Sequence, residues 1–501
     1  MPARSGAEFL AGLRDGREVW LDGERVADVT THPLLGRCAH TVAGLYDLQH
    51  DAALGPKLTY PSPTSGDPVG LSFIEPRSRD DLVRRREMFK AWADYSGGML
   101  GRSPDYMNTI LAGCAMAAAY FARGSAAYAE RIVAYYEWFR ERDLCATHTF
   151  GTFRPNRVRS EAQQEDPTVP LHIVGESAEG LVVSGARNMA TLGPFADEML
   201  VFPAPMKLQA GDADRYALAF AVPMATPGMR LLCRESFDLG RPTADHPLAS
   251  RYEEMDCVVI FHEVVVPWER VFLKGDTELC NGLFRQTHAF DHGIHQFLVK
   301  DWAKAEFILG VASLVAEAIG RTEVPTYQQM LGEIVDAVET LRAYVLAAEA
   351  EAIQDAAGYC VPNPSILSTG RNYLRRLYPR LIEILQIIGS SGLMATPTAA
   401  DMANPALAAD VEKYYQSATL MGHDRVRLFR LAWDLACSSF GGREVLYERF
   451  FAGDPATLLA TRFLTYDRRA AVARVQDLLA RSDGAASLSA GAHATTDGAR
   501  R

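Results

Sequence analysis

Long apolar runs are missing from this chain, and so are clustered cysteines and any excess of basic residues. No stretch of membrane-spanning length is free of charge, so no transmembrane helix is expected. The opening residues MPARSGAEFLAGLRDGREVW hold no uninterrupted apolar core of signal-peptide length, which makes a cytoplasmic protein the expectation. Eight cysteines are scattered from Cys38 to Cys437 with no C-x-x-C, a pattern of reduced thiols and not of a disulfide framework. A net charge of −11 leaves no basic footprint for nucleic acid and no polybasic patch for a membrane surface. No G-x-G-x-x-G follows an early strand, so a Rossmann-type dinucleotide site is not expected either.

What is present is a large, well-mixed globular sequence: 501 residues, 48% of them hydrophobic, enough for sizeable cores. Its periodicity changes twice. From about Ser5 to Arg142, stretches such as DDLVRRREMFKAWADYSG and NTILAGCAMAAAYFARGSAAYAERIVAYYEWFRER carry apolar residues at helical spacing. From about Thr147 to Phe272 short β-branched runs separated by Gly, Pro and Asp take over, among them EMLVFPAP and CVVIFHEVVVPW. Beyond Gly275 come four long amphipathic stretches, long enough for an antiparallel four-helix bundle. The domains expected are 1–146 helical, 147–274 β, 275–480 helical bundle, and a small, polar, disordered tail at 481–501.

The segment KAWADYSGGMLGRSPDYMN carries the first chemical signal. With Pro104 in the first turn of a helix, Arg102 and Tyr106, four residues apart, emerge on one side of it. A guanidinium that keeps its charge beside a phenol hydroxyl suits an anionic or phenolic oxygen, although the same spacing also describes a solvated helix face. His148, in LCATHTF at the start of the β region, is by itself equally a structural hydrogen-bonder. The His288-x-x-x-His292-x-x-His295 spacing looks metal-like, but no carboxylate motif accompanies it. Pocket wall or helix packing is the expectation there, and no metal is assigned.

Several strings in this order resemble one family, the flavin-dependent 4-hydroxyphenylacetate 3-monooxygenases, large oxygenase components of two-component systems. They are DGREVWLDGERVADVTTHP, MFKAWADYSGGMLGRSPDYMN, THTFGTFRPNR, VVVPWERVF and FGGREVLYERFFAGDP, and the resemblance spans nearly the whole chain. It implies an α+β fold like that of the acyl-CoA dehydrogenases, with an N-terminal helical domain, a middle β-barrel and a C-terminal four-helix bundle, assembled as a homotetramer. It also implies ortho-hydroxylation of a para-substituted phenol by a flavin hydroperoxide, formed from O2 and FADH2 that a separate flavin reductase delivers.

By the same resemblance, Arg102, Tyr106 and His148 match the phenol-binding trio. Arg102 would supply a positive field, Tyr106 a hydrogen bond, and His148 a general base or proton relay titrating near neutrality. The flavin stretch would be His148, Thr149 and Phe150 followed by Arg154, Pro155, Asn156 and Arg157, with Thr191 near the isoalloxazine. Gly151, Thr152 and Phe153 depart from the polar, proline-containing segment common in relatives. Part of the FAD would be gripped by Ser439, Phe440, Gly441, Gly442 and Arg443, the glycines allowing close backbone approach and Arg443 forming paired bonds to phosphate. Read without the resemblance, FGGR is equally a glycine stop at a helix end.

Relatives recognise the group para to the hydroxyl through residues after ATLGP, here around Phe202, Pro203, Ala204 and Pro205 and the loop from Lys207 to Arg215. Pro203 and Ala204 offer no hydroxyl pair for a small carboxylate, and the Gly- and Asp-rich QAGDADR suggests a mobile lid. A larger 4-hydroxyphenyl substrate is therefore expected: a tyrosine-like unit of secondary metabolism such as antibiotic biosynthesis, halogenated or tethered to a carrier protein. Two alternatives share the architecture. A 4-hydroxybutyryl-CoA dehydratase needs iron–sulfur ligands that this sequence, lacking C-x-x-x-C, does not offer, whereas an acyl-CoA dehydrogenase needs only a glutamate base in the bundle. A non-catalytic helical scaffold is a third possibility.

Overall fold

The computed structural model describes residues 3–203 and 207–482. The residues from 1 to 453 form one compact unit and those from Asp454 onward a second. Within the first unit the chain runs from helices to strands and back to helices. The helix Arg79–Tyr95 begins where Ser78 and Asp81 close a capping box, each bonding the other's backbone N–H. The helix Pro104–Met116 opens on Pro104, whose fixed φ suits a first turn, and every one of its residues is buried.

Strands occupy the region between Ala146 and Lys274 in two sheets. One has seven strands, built around the long antiparallel pair Gly180–Thr191 and Asp256–Pro267. In Asp256–Pro267 burial alternates residue by residue until His262 and Glu263, where Glu263 at φ +49° marks a bulge and the register shifts. The second sheet orders Val271–Lys274, Leu218–Pro223, Glu198–Val201 and Ala146–Thr149, the last two paired in parallel. Phe220 of one sheet meets Phe261 of the other edge to face, 6.2 Å between ring centres.

The expected closed barrel is replaced by these two sheets: among the described residues neither sheet joins its edge strands to each other. One edge of the larger sheet is supplied from outside the expected β region. The strands Val19–Leu21 and Glu24–Arg25 form a hairpin whose first strand pairs in parallel with Met229–Cys233. Its two-residue turn, Asp22 at φ +52° and Gly23 at +81°, is the left-handed Asp-Gly type that matches strand twist.

Four long helices follow: Ala289–Ala318, Pro325–Ala350, Pro364–Gly389 and Gly422–Ala436. The first packs on the other three and on both Arg79–Tyr95 and Pro104–Met116, so the site helix is held against the C-terminal helices. No helix among the described residues is long and apolar enough to cross a membrane. The second unit contributes the helices Pro455–Thr465 and Arg469–Ser482. The tail expected from residue 481 therefore starts inside a helix, and its remainder lies outside the described residues.

Candidate active site

Arg102 sits in the turn just ahead of the Pro104–Met116 helix, and the sequence dictates that turn. Gly97 and Gly98 have positive φ, and a Cβ on Gly98 would lie 2.8 Å from the Lys300 carbonyl oxygen, so only glycine lets the turn press against the Ala289–Ala318 helix. The Arg102 backbone N–H donates to Glu254 Oε2 at 2.9 Å. Its guanidinium makes no ion pair among the described residues; Nη1 donates to the Gly101 carbonyl at 3.1 Å. Instead it lies over three rings, 4.4 Å from the centre of Tyr106, 4.7 Å from Phe451 and 5.5 Å from Tyr447. Aromatic faces attract a cation without neutralising it, each contact being worth about 0.5–2 kcal/mol.

The Tyr106 ring lies 5.6 Å from the His148 ring. His148 is held in the buried strand Ala146–Thr149, opposite Leu200, and its Nδ1 is buried without a hydrogen-bond partner among the described residues. Burial, reinforced by the positive charge of Arg102, pushes the imidazole pKa well below its ordinary value. The expectation of a base titrating near neutrality is thereby corrected: His148 is a neutral ring and a hydrogen-bond acceptor. Burial likewise raises the Tyr106 hydroxyl, opposed by Arg102 and Arg371, so the phenol of Tyr106 stays protonated.

Beyond His148 an aromatic wall continues. Phe150 lies 4.2 Å from His148 and 5.0 Å from Phe284, and Phe284 in turn meets Phe202 at 5.5 Å and Phe290 at 5.8 Å. Thr149 is buried, and its hydroxyl donates to the Asn188 carbonyl at 3.0 Å. Within the loop from Lys207 to Arg215, Leu208 and Asp212 are tied to neighbouring segments. Asn281 bonds both the N–H and the carbonyl of Leu208, and buried Asp212 accepts the Ala162 N–H at 3.0 Å. Pro203 is described, but Ala204 and Pro205 of the expected para-group stretch lie outside the described residues.

The proposed flavin residues divide into two groups. Thr191 is tied to the trio through charge: its hydroxyl donates to Asp256 Oδ1 at 2.6 Å, and Asp256 takes a two-pronged bond from Arg443. Arg443 also reaches Glu254 at 2.9 Å, and Glu254 holds the Arg102 backbone. All three guanidinium nitrogens of Arg443 thus face carboxylates of this chain, which corrects its expected role as a phosphate grip. The cause is local: a buried guanidinium needs anions, and Asp256, Glu254 and Glu444 surround it. Arg443 is an organiser of the site instead.

The string SFGG proves to be a helix start and not a glycine stop. Ser438 caps the helix Ser439–Phe450, accepting the Gly441 N–H at 3.1 Å. Gly441 is required structurally, since a Cβ there would lie 2.5 Å from the Leu435 carbonyl oxygen, whereas Gly442 faces open space. Phe440 is buried and Ser439 exposed. Arg154 is half-buried, but Pro155, Asn156 and Arg157 are exposed in a loop knitted by Gln164, which donates to the Asn156 carbonyl and accepts its N–H.

The histidine cluster has its own explanation. Arg85 Nη2 donates toward Nδ1 of His292 at 3.0 Å and of His295 at 3.3 Å, while His295 Nε2 meets Glu349 at 2.9 Å. A cation occupies the place where a metal would have to sit, so helix packing accounts for these side chains. Residues that sequence reasoning missed are Glu254, in a short connection, and Asp256, the first residue of the strand Asp256–Pro267, neither with a local pattern that marks it. Tyr447 and Phe451 were also missed, although their spacing of four after Arg443 put all three on one helix face.

Comparison with known proteins gives matches along nearly the whole chain. A family model described as 4-hydroxyphenylacetate 3-hydroxylase N terminal matches residues 5–273, and its C-terminal counterpart matches residues 280–480. The 4-hydroxyphenylacetate 3-monooxygenase oxygenase component of Geobacillus sp. (strain PA-9) is 44% identical over 93% of this chain and 94% of its own length. A Streptomyces globisporus monooxygenase, acting by name on (3S)-3-amino-3-(3-chloro-4-hydroxyphenyl)propanoyl-[peptidyl-carrier protein SgcC2], is 32% identical over 90% of this chain and 85% of its own length. The crystal structure of a 4-hydroxyphenylacetate 3-monooxygenase oxygenase component complexed with FAD and 4-hydroxyphenylacetate superposes with a TM-score of 0.91. It shares 44% identity and covers 96% of this chain and 99% of that one. An archaeal 4-hydroxybutyryl-CoA dehydratase from N. maritimus has the same fold, with a TM-score of 0.85 over 96% of this chain and 95% of its own at 19% identity.

Proposed function

The chain belongs to the 4-hydroxyphenylacetate 3-hydroxylase family, flavin-dependent aromatic hydroxylases that form the oxygenase component of two-component systems, and we propose that it ortho-hydroxylates a para-substituted phenol using O2 and FADH2 from a separate reductase. The observation that carries this reading is the buried Arg102 guanidinium, unpaired with any carboxylate among the described residues, set over Tyr106 beside neutral His148. A phenol has a pKa of about 10, and a nearby cation favours its ionised form. Arg102 supplies that cation, and Tyr106 donates a hydrogen bond to the same oxygen. His148 accepts the hydrogen of the un-ionised phenol, and as negative charge grows on the oxygen the proton affinity of the imidazole rises with it. Phenolate character puts electron density on the ring carbon beside the oxygen, the position to be hydroxylated.

Bound FADH2 supplies the electrons that activate O2 for transfer to that carbon. The residues present fit such a cofactor. Thr191 offers a hydroxyl fixed by Asp256, and the first-turn N–H groups of Ser439 and Phe440, which no helical carbonyl can reach, suit a phosphate beside the open Gly442. Phe150, Phe202 and Phe284 keep water from the reacting ring. A homotetramer, and a substrate bulkier than 4-hydroxyphenylacetate, such as a halogenated or carrier-tethered tyrosine-like unit, are the finer parts of the proposal.

The test mixes the purified protein with chemically reduced FAD, a panel of para-substituted phenols and 18O2, and follows products by mass. A catechol carrying one 18O atom is expected. Oxidation of the flavin with no phenol hydroxylated would sink the reading.

A further inference from the structure

We propose that Arg187 is an anion-binding residue on the wall of the aromatic chamber, where it takes a carboxylate carried on the para side chain of the phenol. The inference rests on the phenol reading above and narrows it to substrates with a free acidic tail.

Arg187 lies on the strand Gly180–Thr191, opposite Thr152, and is 3% exposed. Eight arginines among the described residues are buried, and Arg187 alone of them makes no side-chain hydrogen bond or ion pair there. Its Nε and Nη1 are sealed from solvent without an acceptor among the described residues. Burial pulls its pKa down to about 10, which still leaves it charged at neutral pH. Its electrostatic neighbours are Glu161 and Cys280. Glu161 lies outside ion-pair distance, so it offsets part of the charge without occupying the donors, and the Cys280 thiol, raised to about 12 by burial, is neutral. A buried charge with idle donors costs stability, and such a cost is borne where a ligand supplies the missing anion.

Position identifies the ligand. Cys280 and Phe284 are four apart on the helix Thr277–Gln286 and share a face. Phe284 packs on Phe150, which packs on His148, so Arg187 approaches the same helix wall that lines the phenol chamber. The next residue, Asn281, anchors Leu208 in the loop after Phe202, the stretch implicated above in para-group recognition. A flavin phosphate is the other oxyanion to consider. It suits the solvent-open start of the Ser439–Phe450 helix better than the buried Arg187 guanidinium. A carrier-tethered substrate, whose carboxyl is spent in the tether, would leave Arg187 idle.

The experiment measures equilibrium binding of 4-hydroxyphenyl carboxylic acids and their methyl esters to the protein loaded with FAD. The wild type should prefer each acid about 10- to 100-fold, the span of a charge-assisted hydrogen bond. Arg187→Met should weaken the acids by that factor while leaving the esters within about threefold, and Arg187→Lys should fall between. Equal binding of acid and ester by the wild type overturns the proposal without needing any variant to fold. Parallel weakening of both in Arg187→Met also overturns it. So does a loss of FAD affinity with the acid-to-ester ratio intact, which would assign the guanidinium to a flavin phosphate. If the wild type prefers the acids but hydroxylates none of them, Arg187 keeps its role and the hydroxylase reading falls.

Discussion

Two sets of buried cations lie close together in this molecule and are treated in opposite ways. Beneath the site, Lys300, Lys304 and Arg375 are surrounded by carboxylates: Lys300 and Lys304 each reach Glu448 Oε1 at 2.6 Å, Arg375 reaches Glu448 Oε2 at 3.0 Å, and Lys300 also meets Asp301 at 2.7 Å. In the site, Arg102 faces three aromatic rings and its guanidinium pairs with no carboxylate among the described residues. Glu254 bonds the Arg102 backbone but gives its other oxygen to Arg443. The paired cations form a scaffold whose charge is used up internally. The cation held by rings keeps its field for whatever enters the chamber.

The first way to break that contrast is to unpair the scaffold. Glu448→Gln would leave Lys300, Lys304 and Arg375 buried around a neutral amide, and removing one partner of a buried ion pair costs about 3–5 kcal/mol. Three cations share this one carboxylate, whose pKa they hold well below the ordinary range, so the upper end is expected. A urea midpoint shifted down by that amount, or loss of soluble protein, is the expected result. An unchanged midpoint would mean the network is not scaffold.

The second attacks the site instead. Arg102→Met keeps an unbranched apolar side chain at this buried position but removes the guanidinium that lies over Phe451, and with it the field. Hydroxylation should fall about 10²- to 10³-fold, the usual loss of one preorganised electrostatic contact, with the urea midpoint nearly unchanged. The neutral Met also removes a buried charge, so no stability is lost with it. A variant that unfolds while its residual activity per folded molecule stays normal would place Arg102 with the scaffold.

How much of this was legible in the sequence follows from the same contrast. The phenol-site residues stood out because their spacing and their strings are local: Arg102 and Tyr106 share one turn and Pro104 announces it. The hairpin that joins the larger sheet was equally legible in LDGE, yet its parallel pairing with Met229–Cys233 joins residues some 210 apart and left no local trace. The scaffold was illegible for a related reason. Lys300 and Lys304 in VKDWAK look like a solvated stripe, and only the folded helix–helix contact with Glu444 and Glu448 shows them buried. The same holds for Arg443, whose string invited a phosphate until Asp256 and Glu254 were found against it. His148 does lie beside Tyr106, but its protonation depends on burial and on Arg102, which spacing does not report.

Asp105 sharpens the contrast with the smallest expected effect. It is as buried as Glu448, but it lies in the first turn of the site helix with no cation paired to it among the described residues; the Gln296 amide donates to its Oδ2 at 2.9 Å, and its Oδ1 has no partner there. Burial outweighs the hydrogen bonds from Ser103 and Gln296 and lifts its pKa from 3.8 to about 6. A raised carboxyl pKa means the folded protein holds this proton more tightly than the unfolded chain. The associated stability is fully present below about pH 3.8 and is lost progressively until pH passes about 6. The loss amounts to roughly 3 kcal/mol, at about 1.4 kcal/mol per pH unit. Asp105→Asn mimics the protonated acid at every pH, so it should match the wild type at pH 4 and exceed it by up to that amount at pH 7. Urea midpoints at the two pH values decide the matter. A variant less stable than the wild type at pH 7 would mean that the Asp105 charge is compensated after all, as the scaffold's charges are.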